Sequence, residues 1–400
     1  MPIRSVSLAK SGVFPEDGRV TAAPPCTATP TPSLQALTDQ CVQCGLCLPT
    51  CPTYALDAIE AESPRGRIAL ANAWDIGLLA PTGAGDHHLD HCLGCRRCET
   101  VCPAGVAYDT ILSMVRTRQR RRRKPPARQR IIEWLSAHPS TLATLLSTYR
   151  TVWPLLPQRW RPLPRPSATR LATMPPQPGK EPMSLFMGCV ARGYEQPLYL
   201  AVRRLGVAIG LDITTPATQT CCGSLHAHAG EADRAMDLAS KNRQAFAGAS
   251  TVLGVASGCH DALADSLRGQ ARVRDAIDAI AEGADRLQFA ARPERVALHL
   301  PCTQRNAVRS DRALFGLLAR VPELDVVVID AGFGCCGAAG TQMLNDPERA
   351  ARFRKPLLDQ LAASGATRLL SANIGCRLHL GNGTTLPVQH PLEFLAECLA

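Results

Sequence analysis

The runs CVQCGLCLPTCP and CLGCRRCETVCP place the tightest constraint on how this 400-residue chain can fold. They supply Cys41, Cys44, Cys47 and Cys51, then Cys92, Cys95, Cys98 and Cys102, each set spaced C-x2-C-x2-C-x3-C-P. Three sulfurs two residues apart converge only where the backbone wraps tightly, and Gly45 and Gly94 stand where such a wrap needs a permissive residue. The proline after each fourth cysteine turns the chain away and removes a competing N–H. This ladder places three thiolates around one iron–sulfur cluster and sends the fourth to its neighbour. It predicts two [4Fe–4S] clusters, one on Cys41, Cys44, Cys47 and Cys102, the other on Cys92, Cys95, Cys98 and Cys51. Zinc sites usually show paired C-x2-C knuckles, so zinc fits the ladder less well. With all ligands from the protein, such a pair offers no open position to substrate and is expected to conduct single electrons.

The bulk properties narrow the rest. The chain is long enough for two or three domains, and a hydrophobic fraction of 46% does not suggest disorder. Eighteen cysteines in a chain of this length, without a visible signal peptide and mostly in metal-type motifs, fit a reduced cytoplasm better than a disulfide framework. Aromatic residues are only 4%, which argues against a nucleic-acid stacking surface. No apolar run reaches the ~20 residues that span a bilayer, so any membrane contact is expected to be peripheral.

Residues 1–35 are rich in Pro, Thr and Ala, hold the lone Cys26, and read as a flexible leader. Residues 36–124 form the expected dicluster domain. The insert between its two ladders contains SPRGRIALANAWDIG, where Pro64 opens a helical pattern through Ile68, Leu70 and Ala71. The paired ladders with SPRGRI between them resemble the α-helical ferredoxin domain of respiratory-type dehydrogenases. Arg65 and Arg67 either neutralise cluster charge or decorate a solvated helix end. Residues 125–182 read as a basic, amphipathic and Pro-rich linker. The basic block Arg116–Arg130 begins as the last turns of a helix and breaks at Pro125–Pro126. It would suit nucleic acid, anionic lipid, an acidic partner or plain solvent. Downstream, Trp134, Leu135, Leu142, Leu145, Leu146, Tyr149 and Trp153 form an apolar face that either packs on protein or lies in a membrane interface.

From Met183 the chain repeats itself, giving units at 183–292 and 293–400. The first carries Cys189, Cys221, Cys222 and Cys259; the second carries Cys302, Cys335, Cys336 and Cys376. The single cysteines follow apolar runs that read as parallel-type strands at Ser184–Met187, Thr251–Ala256, Arg295–Leu300 and Arg368–Ala372. Helical stretches intervene, so each unit is expected to be α/β with its cysteines beyond the carboxyl ends of strands. Glycine after each cysteine pair permits a strained turn that brings both sulfurs forward. Each set of four would take a further iron–sulfur cluster or a zinc ion, or remain a metal-free thiol group. The fold class is therefore α+β multidomain: a helical ferredoxin domain followed by a duplicated α/β unit.

The duplicated pattern resembles the CCG domain of heterodisulfide reductase and of iron–sulfur subunits of flavin dehydrogenases. In that family each unit ends C-x2-C, whereas position 262 here is Ala and position 379 is His. That departure puts a five-cysteine cluster in doubt. His379 would be a substitute ligand or an ordinary helix-face histidine, and the same choice attaches to His226, His228 and His260. From residue 36 to about 390, ending in SANIGCRLHL, the order of parts is similar to the glycolate oxidase iron–sulfur subunit family. The resemblance implies the non-flavin subunit of an acceptor-linked glycolate dehydrogenase, with no catalytic residue on this chain. FAD-carrying partner subunits would oxidise glycolate to glyoxylate and pass electrons through this chain to a quinone or other membrane acceptor, at the cytoplasmic face of the inner membrane. The alternatives are the equivalent subunit for lactate or glycerol 3-phosphate, or a thiol–disulfide oxidoreductase. No GxGxxG or P-loop is present to place a nucleotide on this chain, and a nucleic-acid role has only the basic block in its favour.

Overall fold

A computed structural model describes residues 32–167, 180–330, 332 and 334–400. Most of the expected leader, including Cys26, lies outside the described residues, as do 168–179 of the expected linker.

The N-terminal half is helical throughout its described residues. Six helices build the ferredoxin part: α1 (Leu34–Thr38), α2 (Pro52–Asp57), α3 (Pro64–Asp75), α4 (Gly83–Asp90), α5 (Arg97–Thr100) and α6 (Tyr108–Arg122). Proline opens both α2 and α3, where its missing N–H costs nothing. In α3 the Ser63 hydroxyl also accepts the Gly66 N–H at 2.9 Å. Leu34, Leu37, Ile68, Leu89, Ile111 and Val115 close a core around which the cysteines are wrapped.

The segment read as a linker is packed structure up to residue 167. Helices α7 (Ala127–Ala137) and α8 (Pro139–Val152) break at His138 because Pro139 starts a new helix. Leu146 of α8 presses against Gly193, where a Cβ would come within 2.5 Å of it. The Tyr194 hydroxyl donates to the Pro164 carbonyl at 2.8 Å, and Ser136 lies 3.2 Å from His226. Burial of one face against the first α/β unit overrides the proline-rich composition.

The C-terminal half holds two parallel four-stranded sheets of the same topology, β2-β1-β3-β4 and β6-β5-β7-β8. The strands are β1 (Glu181–Phe186), β2 (Leu211–Thr214), β3 (Thr251–Gly254), β4 (Arg272–Asp275), β5 (Arg295–His299), β6 (Asp325–Ile329), β7 (Arg368–Ser371) and β8 (Val388–Gln389). The four expected strands are the central ones, β1, β3, β5 and β7. One shared core, with Leu185, Leu253, Leu298, Leu370 and Phe394, joins the two units.

Candidate metal centres

Both cysteine ladders adopt the same local geometry. The residue before the second cysteine and the residue after it are left-handed in each: Gln43 (φ 55°) and Gly45 (84°), then Gly94 (60°) and Arg96 (57°). Two such residues flanking the middle cysteine bend the backbone round its sulfur, and glycine occupies one of the two positions in each loop. Substitution of either glycine would also meet a neighbour, Arg65 Nη1 at 2.9 Å from a Cβ at Gly45, and the His228 ring at 3.2 Å from one at Gly94.

The ladders exchange their fourth cysteines. A concavity of about 460 Å³ is lined by Cys41, Cys44, Cys47 and Cys102, with Ile68, Pro103, Val106 and Cys98 on its walls. A second, of about 380 Å³, is lined by Cys51, Cys92, Cys95 and Cys98 beside Arg67 and Tyr108. These are the two groupings the spacing predicts; Cys51 is the residue that opens α2, and Cys102 follows the end of α5. Burial pushes the Cys47 thiol up, and the charges of Cys41 and Cys51 add to it, although backbone N–H groups oppose the rise. Burial likewise raises Cys95 and Cys98, with neighbouring sulfurs next in importance. Such crowded thiols can ionise together only against a shared positive centre. Four sulfurs around one zinc, each ~2.3 Å from it, would lie roughly 3.8 Å apart. Among the described residues no three cysteine sulfurs lie mutually within 4.8 Å. Four ladder thiolates line each cradle in the set that the spacing predicts, so the donor sets fit [4Fe–4S] clusters.

The two cradles differ in exposure. Cys44 is exposed at the mouth of the first, ringed by Val42 (69% exposed) and Leu46 (54%). The second faces inward. Its Cys95 packs with Leu93, Cys302, Cys335 and Phe353, and Asn306 Nδ2 donates to the Cys95 carbonyl at 2.8 Å.

In the α/β units each cysteine pair lies on a turn closed by a left-handed glycine, Gly223 (89°) and Gly337 (85°). The following N–H points at the first sulfur, 3.5 Å in both units. A Cβ at Gly337 would come within 2.7 Å of Phe353, so glycine also permits the turn to approach the helix Pro347–Ser364. Cys336 and Cys376 bring their sulfurs to 3.1 Å, and Asn373 Nδ2 points at Cys376 Sγ from 3.6 Å. Hydrogen bonding to Cys335 lowers the Cys302 thiol despite its burial, and raises Cys335 in turn. The two units meet where the Ser257 and Thr303 hydroxyls bond at 2.7 Å.

His379 points Nε2 at the Ala350 carbonyl, 3.1 Å away, and burial pushes its pKa down to about 4. His226 joins Ser136 and Glu231, and His228 packs on Gly94. Burial lowers both His228 and His260.

The N-terminal part of the basic block is neutralised within the chain. Arg116 donates to the carbonyls of Leu89 (2.7 Å), Cys92 (2.9 Å) and His228 (3.1 Å). Arg118 pairs with Asp75, Arg120 with Glu133 and Glu231, Arg122 with Asp86 and Arg123 with Asp90.

One cluster of side chains had no local signal in the sequence. Glu62, 2% exposed, accepts from Arg67 Nη2 at 2.6 Å and from His88 and His91 Nδ1 at 2.7 Å each. Arg349 of the second α/β unit reaches it at 3.4 Å and also pairs with Asp57. Asp57, Glu62 and His91 are close enough to ligate an ion, but Arg67 and Arg349 already hold the carboxylates. The group is a buried ion-pair hub tying the ferredoxin part to the second α/β unit.

Comparison with known proteins agrees with this arrangement. Residues 37–106 match the 4Fe-4S dicluster domain, and residues 183–264 and 296–381 each match the cysteine-rich domain called CCG. The chain carries both of these domains in that order. Among similar proteins, the glycolate oxidase iron-sulfur subunit of Escherichia coli (strain K12) is 29% identical over 90% of this chain and 93% of its own length. The probable glycolate oxidase iron-sulfur subunit of Bacillus subtilis (strain 168) is 28% identical over 86% and 88%. One of the heterodisulfide reductase subunits of Methanosarcina barkeri is 27% identical over 90% and 94%. The two domains and these likenesses mark the chain as an iron–sulfur electron-transfer subunit of an oxidoreductase complex.

Proposed function

We propose that this chain relays electrons for a flavin-dependent 2-hydroxy acid dehydrogenase whose partner subunits, carrying FAD, oxidise glycolate to glyoxylate. The observation that carries the reading is the pair of adjoining four-cysteine cradles, one open at the surface and one buried against the second CCG unit. Similarity to glycolate oxidase subunits along nearly the full chain supports the substrate. Cys41, Cys44, Cys47 and Cys102 would hold one [4Fe–4S] cluster, and Cys92, Cys95, Cys98 and Cys51 the other. When bound, these clusters supply one-electron couples that can separate the two electrons of a reduced flavin. The chain's own residues shape the route. The open mouth at Cys44 faces the donor side, and the Asn306–Cys95 contact, beside the apolar cluster that Cys302 and Cys335 share, leads inward to the second CCG set. The acceptor is a quinone or another membrane carrier. Residues 36–124 act as the conducting domain, and the CCG units at 183–292 and 293–400 as the outlet.

Iron and acid-labile sulfide on protein purified without oxygen test this first. About eight irons per chain are expected from the cradles alone, and twelve to sixteen if the CCG sets also hold clusters. Fewer than about four irons with stoichiometric zinc would overturn the relay. Assay of the whole complex with glycolate, lactate and glycerol 3-phosphate then fixes the substrate. The isolated chain reducing a disulfide from reduced dye would favour the thiol–disulfide reading, to which the 3.1 Å Cys336–Cys376 approach lends weight.

The acceptor side points to peripheral attachment at the cytoplasmic face of the inner membrane. No helix among the described residues is long and apolar enough to cross a membrane. The outward face of α7, α8 and the following turns exposes Ile131, Trp134, Leu145, Leu155 (85%) and Trp160 (62%). Exposed Arg128, Arg130 and Arg159 accompany them, and the only acid from Pro125 to Trp160 is Glu133, which is buried on Arg120. Tryptophan beside unopposed cations suits an anionic lipid surface. The chain is expected to sediment with phosphatidylglycerol vesicles at low salt, and not with phosphatidylcholine alone. Replacing Trp134, Leu155 and Trp160 by serine should abolish this, whereas unchanged sedimentation would sink the assignment.

A further inference from the structure

Arg65 and Arg67 stand two residues apart at the start of α3 yet meet opposite fates. Arg65 sits half-exposed on the wall of the first cradle and donates to the Gln43 carbonyl at 3.1 Å, but its charge is offset by exposed Glu60 and screened by water. Arg67, 2% exposed, turns inward and lines the second cradle with Cys51, Cys92, Cys95 and Cys98. Every nitrogen of its guanidinium is engaged. Nε donates to the His88 carbonyl at 2.6 Å, Nη1 to Thr53 Oγ1 at 3.0 Å and the Glu62 carbonyl at 2.6 Å, and Nη2 to the Glu62 carboxylate at 2.6 Å. Thr53 Oγ1 lies 3.2 Å from Cys51 Sγ, so one hydroxyl separates the cation from a candidate ligand sulfur. The Glu62 carboxylate is shared: Arg67 and Arg349 reach one oxygen, and His88 and His91 bond to the other. An arginine stays charged throughout the accessible pH range.

We propose that Arg67 sets the reduction potential of the second centre, its fixed charge favouring the reduced state there and not at the open first cradle. One electron arriving at the second centre adds one negative charge and breaks or forms no bond. A cation held beside that charge in a poorly solvated site stabilises it, since charge and hydrogen bonding around the sulfurs tune cluster potentials. The second centre thereby becomes the better electron acceptor of the two, and transfer from the exposed cradle runs inward. This assignment rests on the reading that both cradles hold [4Fe–4S] clusters. Arg67 acts through the field it creates and is a positioning residue, not a catalytic one.

The test is an EPR-monitored redox titration of the full-length chain, with dithionite as reductant, on protein of known iron content. In Arg67→Gln, which keeps a hydrogen-bonding head but no charge, one of the two cluster transitions should move to lower potential. At fixed ambient potential its reduced-to-oxidised ratio should fall at least about tenfold, or about 59 mV for one electron. The other transition should not move. Arg67→Lys keeps the charge and should restore most of the potential while lowering the unfolding midpoint, because the fork of hydrogen bonds is lost. A purely structural role would instead lower the midpoint in both variants and leave the potentials alone. Full iron content with an unmoved potential in Arg67→Gln, or an equal fall in Arg67→Lys, overturns this proposal alone. A wild-type chain without iron overturns the cluster reading and the proposal with it.

Discussion

Replacing Cys44 by serine is expected to abolish acceptor reduction by the assembled complex while the partner's flavin is still bleached by glycolate. Loss of an outer partner at a metal site already costs about 10–100-fold, so loss of a sulfur ligand should cost at least about 100-fold. Cys44 is the informative choice because it is the exposed candidate ligand of the first cradle. The variant should therefore keep its fold and its second centre. Stopped-flow flavin absorbance beside a quinone-analogue assay separates the two half-reactions. Acceptor reduction at the wild-type rate would mean that electrons do not pass through the first cradle.

Glu62→Ala should produce the largest loss of stability of any single surface-remote substitution in the ferredoxin part. It leaves the guanidinium of Arg67 buried without its carboxylate and removes one of the two acids that Arg349 grips. Breaking one side of a buried pair costs about 3–5 kcal/mol. Denaturant unfolding of the apo and loaded chains measures it, and a change under about 1 kcal/mol would show that the hub contributes little. The same residue makes a pH prediction. Burial alone would raise the Glu62 carboxyl, but hydrogen bonds from His91 and His88 and the charge of Arg67 outweigh it and hold the pKa at about 2, against an ordinary 4.5. A carboxyl held below its unfolded value stabilises the fold above that value and loses the contribution as pH falls through the native one. A shift of this size corresponds to about 3 kcal/mol. The stability difference between wild type and Glu62→Gln should accordingly be full above pH 4.5 and shrink steadily toward pH 2. A difference that stays constant across this window would contradict the assignment.

Much of the site could be read before any coordinates. The ladders specify ligand spacing because sulfurs two residues apart need a particular backbone wrap, and the left-handed residues at 43, 45, 94 and 96 are that wrap. Glycine marks one of the two positions in each loop; Gln43 and Arg96 gave no such signal. The duplication was legible because both units repeat strand, cysteine, CCG turn and helix in order. The edge strands β2, β4 and β8 left no clear trace because they mix polar with apolar positions, and the apolar run of β6 has no cysteine directly after it to mark it. The basic block was misleading for a different reason. Its partners Asp75, Asp86, Asp90 and Glu231 come from elsewhere in the chain, so its composition looked unopposed.

By itself the sequence determined the identity and spacing of the sulfur donors, the helical character of the first half and the internal repeat. Each of these rests on neighbours along the chain. Tertiary structure alone decided which CCG unit touches the second cradle, through Asn306 and Cys95, and which arginine of SPRGRI is buried. It also decided that Glu62 gathers charges from three separate segments. Those outcomes depend on pairings between residues as far apart as 287 positions, which follow from how whole faces pack and leave no periodic trace along the chain.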